Sequence, residues 1–146
     1  MAFAERTAEV HWDGTLVRGQ GSLRAGSGVV MDLPLDWASR SETAHGTASP
    51  EELLAGAHAS CYAMALALLL TRAGSPPQSI DVTATCALDA DGEWYRVSSL
   101  ALRVHASVPG LDEEAFARAA READARCPIS IAVRDNVRVR LDAALA

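Results

Sequence analysis

Lysine is absent from this sequence: all 13 basic side chains are arginines, set against 19 acidic ones for a formal net charge of −6. An arginine at any single position therefore carries little information by itself. No basic run and no interleaving of basic with aromatic residues occurs, and the pI is about 5.1. A nucleic-acid-binding surface is not expected. No C-x-x-C pair is present, so a zinc site would need ligands scattered along the chain. No G-x-S-x-G surrounds Ser60, which leaves a hydrolase elbow unsupported. The opening stretch MAFAERTAEVHWDG brings acids early and no apolar core. It does not read as a signal peptide, so the expected compartment is the reducing cytoplasm. In that setting three cysteines suggest reactive or buried thiols rather than a disulfide framework. No repeat, linker or low-complexity segment interrupts the 146 residues. A single domain, 1–146, with a sizeable core is expected.

What is present begins with one apolar run, Leu53 to Leu70, inside SPEELLAGAHASCYAMALALLLTRAG. It is barely of membrane length and carries Gly56, His58, Ser60 and many alanines, which fits a buried helix better than a span. Ser49 reads as the N-cap, Pro50 as the first helical residue, and Glu52 completes an S-x-x-E capping box. Arg72 and Gly74 mark the end, and Pro76-Pro77 prevent continuation. The helix is apolar nearly all round. One small domain has difficulty wrapping about seven turns of such a helix, so a partner subunit is expected.

The first third reads as a β-meander. AEVHW alternates apolar and polar residues and is expected to meet TLVRGQGSL across an Asp13-Gly14 turn, with SGVVMDLPL as third strand. DWASRSETAHGTAS has no periodicity and reads as a long loop. After the helix, SIDVTATCAL puts Ile80, Val82, Ala84, Cys86 and Leu88 on one face. Asp91-Gly92 turns the chain into EWYRVSSLALRVHASV. A second helix is expected from about Asp112 to Cys127, with Phe116, Ala120, Ala123 and Cys127 on its apolar face and Pro128 as its stop. IAVRDNVRVRLDAAL reads as a closing strand. The class is α+β: antiparallel strands around a buried helix.

Cys86, in phase with apolar strand neighbours, reads as core. Cys61 is open to two readings: inert packing, or a nucleophile in a small pocket. A nucleophile must ionise, and apolar burial opposes ionisation. The helix N-terminus is ten residues, about 15 Å, away, beyond the reach of its dipole. A functional Cys61 therefore needs a cation from outside its own helix, most plausibly an arginine. Cys127, on the inward face of a second helix, could meet Cys61 or be a separate buried thiol. His58, one helical turn before Cys61, reads as a hydrogen-bonded structural histidine rather than a metal ligand. No metal and no cofactor are expected.

TASPEELLAGAHASCYAMAL and the later RCPIS, taken together, resemble the OsmC/Ohr family of organic hydroperoxide reductases. HWDG near the start and VPGLD before the second helix extend the resemblance over nearly the whole chain. His58 and VPGLD look more like the OsmC branch than the Ohr branch. The resemblance implies antiparallel β-sheets wrapped around a long buried central helix, in an intertwined homodimer with two active sites at the subunit interface. It implies reduction of organic (alkyl, fatty-acid) hydroperoxides to alcohols, with Cys61 peroxidatic and Cys127 resolving through an intramolecular disulfide. A dithiol, typically a lipoyl group as in dihydrolipoamide, would recycle the pair. Arg40 stands where the family has a loop arginine that activates the thiolate, and Glu51 where it has a catalytic glutamate. The loop SRSETAHGTAS departs from common members in length and sequence. No nucleic-acid or membrane partner is implied. The alternative is a non-catalytic redox sensor or binding module using the same two cysteines.

Overall fold

The structure, a computed structural model, describes residues 1–146. The chain forms two compact units, 1–53 and 54–146. The first contains an antiparallel meander of β1 (Ala8–Asp13), β2 (Gln20–Ala25) and β3 (Leu33–Leu35). Two expected boundaries move. The turn at Asp13-Gly14 extends to Gly19, whose N–H bonds the Thr15 carbonyl at 2.7 Å, so Thr15–Arg18 is turn and not strand. Glycine is required at 19, because a Cβ there would sit 2.3 Å from the Thr15 carbonyl oxygen and 2.5 Å from that of Asp13. The third strand contracts to three residues. Ala25–Val30 closes as a turn, and Asp32 adopts a left-handed backbone with φ 53°, which ends any extended path through it. All six residues of β1 are exposed, Val10 and Trp12 among them, so this sheet carries an uncovered apolar face.

The loop after β3 is not wholly irregular. It contains a single helical turn, α1 (Ala38–Ser41), and Ala48 returns beside Leu35 in a parallel bridge. The long helix α2 (Pro50–Arg72) follows with the expected caps. Ser49 N–H donates to Glu52 Oε2 at 3.0 Å and Glu52 N–H to Ser49 Oγ at 3.2 Å, the reciprocal box. Such a cap contributes about 1 kcal/mol. At the other end Gly74 has φ 80°. Its N–H bonds the Thr71 carbonyl at 3.1 Å and that of Ser75 bonds Leu70 at 2.9 Å, a Schellman closure that only glycine enters without strain.

In the second unit β4 (Ser79–Asp91) and β5 (Trp94–Ser107) form the hairpin turned at Gly92, with a bulge at Ala87/Leu88. β6 (Arg138–Leu145) lies beside β5, but parallel to it. The parallel pairing departs from the all-antiparallel expectation. It follows from the connection: a parallel neighbour needs a crossover, here α3 (Glu113–Arg126) and α4 (Pro128–Val133). α3 begins one residue later than expected, with Asp112 as its cap accepting the Ala115 N–H at 2.8 Å. α4 is unexpected, since Pro128 starts a helix as well as stopping one.

Tyr62, Leu66 and Leu70 of α2 pack with Leu102, Val104 and Ala106 of β5 and with Phe116, Ala123 and Cys127. Burying each large side chain contributes about 1.5–3 kcal/mol. α2 is long and apolar enough to cross a membrane, yet here it supplies core side chains to a folded unit. Only one stripe of it is buried: Glu51, Ala55, His58, Tyr62, Leu66 and Leu70. On the opposite side Leu53, Met64 and Leu68 are exposed. Within one chain the helix is therefore half-wrapped, in keeping with the expected difficulty of wrapping it with one small domain.

Candidate active site

The structure brings the four sequence-derived site residues together in two pairs. Cys61 lies midway along α2, and Cys127 is both the residue after α3 and the N-cap of α4. Their thiols are hydrogen-bonding neighbours with no disulfide between them. Cys127 is fully buried and Cys61 half-buried. The second pair is Arg40 and Glu51. The guanidinium donates from Nε and from Nη2 to Glu51 Oε1, each at 2.9 Å. Both donors meet one carboxylate oxygen. Glu51 is buried, and its Oε2 has no partner within the chain. Glu51 and Cys61 lie ten residues, about 15 Å, apart along the unbroken α2 axis.

Burial is the largest influence on Cys61 and pushes its thiol pKa up. The Ile129 N–H, donating to the Cys61 sulfur, acts in the opposite direction. The Cys127 thiol beside it pushes up again. The net direction is upward, which bears out the expectation that burial works against ionisation here. The one group beside Cys61 that favours the thiolate is this backbone N–H in the first turn of α4. Sequence reasoning missed it by reading Pro128 only as a stop, although proline at the first helical position is a start signal.

Sequence reasoning also missed what holds Arg40. Its helical turn is pinned by Asp36, whose Oδ1 accepts the Ser39 N–H at 2.7 Å and whose Oδ2 pairs with His45 Nε2 at 2.9 Å. The Ser39 and Thr47 hydroxyls hydrogen-bond one another, and the Trp37 ring lies 5.9 Å from the Arg40 guanidinium carbon, within cation–π range. The Ser39 N–H is the chief cause that lowers Asp36 to about 2, with His45 assisting. His45 is raised from 6.5, first by the Thr43 carbonyl and then by Asp36. A raised histidine stabilises fully below its unfolded value of about 6.5 and loses that contribution as pH climbs through its folded value. A lowered aspartate stabilises fully above about 3.8 and loses its contribution as pH falls towards 2. The clasp is therefore complete between about pH 4 and 6.5. His45→Gln should lower the melting temperature most at about pH 5.5, with the difference from the unmodified chain shrinking by about pH 8.5. Equal differences at both pH values would show that the ion pair is immaterial.

His58, read from the sequence as a hydrogen-bonded structural residue, is fully buried with Nε2 2.7 Å from Ser130 Oγ. Burial, the larger influence, lowers its pKa; the charge of Asp124 acts the other way. Cys86 lies half-buried on the inward face of β4, in phase with Ile80, Val82 and Ala84.

Comparison with known proteins follows the same lines. Residues 43–142 match the family model described as OsmC-like protein. The chain is 37% identical over 132 residues to Peroxiredoxin OsmC of Escherichia coli K12, covering 90% of this chain and 92% of that protein; the Shigella flexneri protein of the same name matches equally. Among solved structures, OhrB of Bacillus subtilis, an organic hydroperoxide resistance protein, superposes with a TM-score of 0.72 at 25% identity over 94% of this chain and 97% of that one. The organic hydroperoxide resistance protein OsmC of Legionella pneumophila shares the fold, with a TM-score of 0.78 at 24% identity over 99% of each chain. A matched family model spanning most of the chain, and a relative at 37% identity over nine-tenths of it, establish that this protein belongs to the OsmC family.

Proposed function

We propose that this protein is a cysteine-based peroxidase that reduces organic hydroperoxides, with Cys61 as nucleophile and Cys127 as resolving thiol. The observation that carries the reading is the contact between these two thiols, 66 positions apart in sequence, one buried and one half-buried. A relative named as a peroxiredoxin and a structural neighbour named for organic hydroperoxide resistance support it.

The Cys61 thiolate attacks one peroxide oxygen, the O–O bond breaks, and the other oxygen takes a proton and leaves as the alcohol. Cys61 becomes sulfenic acid. Cys127 condenses with it, releasing water and leaving a disulfide, which an external dithiol such as dihydrolipoamide reopens by exchange. Because burial opposes the thiolate, the step needs a cation, and Arg40 is our candidate. Glu51 holds its Nε and Nη2 edge, which leaves Nη1 to face sulfur or peroxide oxygen. The run of α2 between Glu51 and Cys61 makes that contact awkward within one chain. We therefore assign Arg40 and Glu51 to the Cys61 of a second copy.

Three features favour the homodimer: the exposed Leu53, Met64 and Leu68 side of α2, the uncovered face of β1, and the unpartnered Glu51 Oε2. Patches of this kind mark interfaces. With a second copy in place the whole chain acts as one domain, in the cytoplasm, and Met64 and Leu68 line an apolar approach to Cys61 that suits alkyl or fatty-acid hydroperoxides.

Purified protein with dihydrolipoamide should consume cumene hydroperoxide at least about tenfold faster than hydrogen peroxide. Equal rates would remove the assigned substrate class. One oxidation event per chain with no turnover under any dithiol would favour the redox-sensor alternative.

A further inference from the structure

His58 and Ser130 present a puzzle that the peroxidase chemistry does not use. Both are fully buried, and they join through one 2.7 Å hydrogen bond across 72 positions of sequence. His58 Nδ1 is also buried and has no partner, as is Asp124 Oδ1 on α3. An apolar pair would avoid that desolvation, so the site is not arranged for stability alone. A buried polar contact retained at such a cost is best attested as a device that fixes register between packed elements.

Its placement says which register. His58 is one helical turn before Cys61 on α2, and Ser130 is three residues after Cys127 in α4. The bond therefore ties together the two elements that carry the thiols, one turn from each. Tyr62, the residue after Cys61, donates from its Oη to the Ala120 carbonyl of α3 at 3.0 Å. In sequence, the two thiols are thus flanked by two buried directional bonds, His58–Ser130 and Tyr62–Ala120.

We propose that the His58–Ser130 hydrogen bond is the positioning element of the resolving half-reaction, holding the Cys127 sulfur in bonding register with Cys61. This rests on the peroxidase reading given above. Attack on peroxide needs Cys61 alone. Closure needs both sulfurs in a narrow geometry, with the Cβ atoms about 3.5–4.5 Å apart. In closure the S–S bond forms and the S–O bond of the Cys61 sulfenic acid breaks. The electron pair comes from the Cys127 sulfur, and the thiol proton leaves with the hydroxyl as water. A displacement of about 1 Å can slow such a step by two orders of magnitude.

The two steps can be read separately. Rapid mixing with cumene hydroperoxide gives the second-order oxidation of Cys61; trapping with dimedone gives the lifetime of its sulfenic acid. Ser130→Ala and His58→Leu should close the disulfide at least about tenfold more slowly, with the dimedone adduct accumulating on Cys61 and oxidation within about twofold of the unmodified rate. His58→Gln, whose amide nitrogen reaches where Nε2 lies, should recover most of the closure rate. Oxidation and closure slowed together, or no recovery by His58→Gln, would mark a general structural role and overturn the proposal. A parallel arm uses Cys61 as its mixed disulfide with glutathione, from which Cys127 releases glutathione without any hydroperoxide. Closure at the unmodified rate there in the Ser130→Ala and His58→Leu proteins sinks the positioning role. Inertness of unmodified Cys61 to hydroperoxide, with slowed closure in this arm, sinks only the peroxidase reading.

Discussion

Cys61→Ser should abolish hydroperoxide consumption, lowering it by at least about a thousandfold, while Cys127→Ser should complete one reduction per chain and then stall. The asymmetry follows from the roles proposed for two thiols that touch. A serine hydroxyl cannot supply the polarizable anion that opens the O–O bond, so nothing downstream occurs. Without Cys127 the first step survives, because Cys61 and the Ile129 N–H facing its sulfur are intact. What fails is condensation, and the sulfenic acid persists until small thiols or further oxidation remove it. The measurement is a burst of alcohol product: about one equivalent from Cys127→Ser, none from Cys61→Ser, continuous formation from the unmodified protein. Sustained turnover by Cys127→Ser with dihydrolipoamide would contradict its resolving role. The burial of Cys127 adds a control, since a bulky alkylating reagent should modify half-buried Cys61 first.

The second large effect belongs to Arg40. Arg40→Ala should lower the second-order rate of Cys61 oxidation by on the order of 10²–10³, the range seen when one donor to developing negative charge is removed. Arg40→Lys should recover little, because an ammonium cannot offer one edge to Glu51 Oε1 while presenting another donor to sulfur. Glu51→Gln keeps an acceptor at Oε1 but drops the charge, and should cost less than the arginine deletion. The shared-site assignment has its own test. Arg40→Ala and Cys61→Ser chains are each inactive. Mixed and refolded together in equal amounts, they should regain roughly a quarter of normal activity, because half the dimers are hybrids and one of two sites in each is complete. No recovery in verified hybrids would place Arg40 and Cys61 in the same chain.

How legible all this was in the sequence varied with the kind of signal. The ends of α2 were readable to the residue, because a capping box and a C-terminal glycine act within a few positions. The β4–β5 alternation was equally plain, with one face of each strand against the core. The first hairpin was not. Asp13-Gly14 suggested a tight turn, but the chain needs five further residues to reach Gly19, and the crowding at Gly19 is a tertiary fact. Pro128 shows how one residue supports two readings: it ends α3, and with its fixed φ it also begins α4, aiming the Ile129 N–H at the Cys61 sulfur. The direction of β6 could not come from alternation, which is the same for parallel and antiparallel strands. The intervening helices did carry that information, since a strand, a helical crossover and a strand make a parallel pair. In the candidate site, the helix positions of Cys61 and Cys127 singled them out, while their assigned roles, and Arg40 and Glu51, came from the family resemblance. The clasp of Asp36, Ser39, His45 and Thr47 lies in a stretch without periodicity, and nothing in spacing announced it.

In the proposed homodimer, the bare side of α2 would tie the survival of the fold to the amount of protein present. If two copies cover Leu53, Met64 and Leu68 for one another, mass action adds stability to the native state in proportion to the logarithm of concentration. Scarce chains would melt sooner than abundant ones. A cell that makes more of this protein would then gain sturdier molecules as well as more of them.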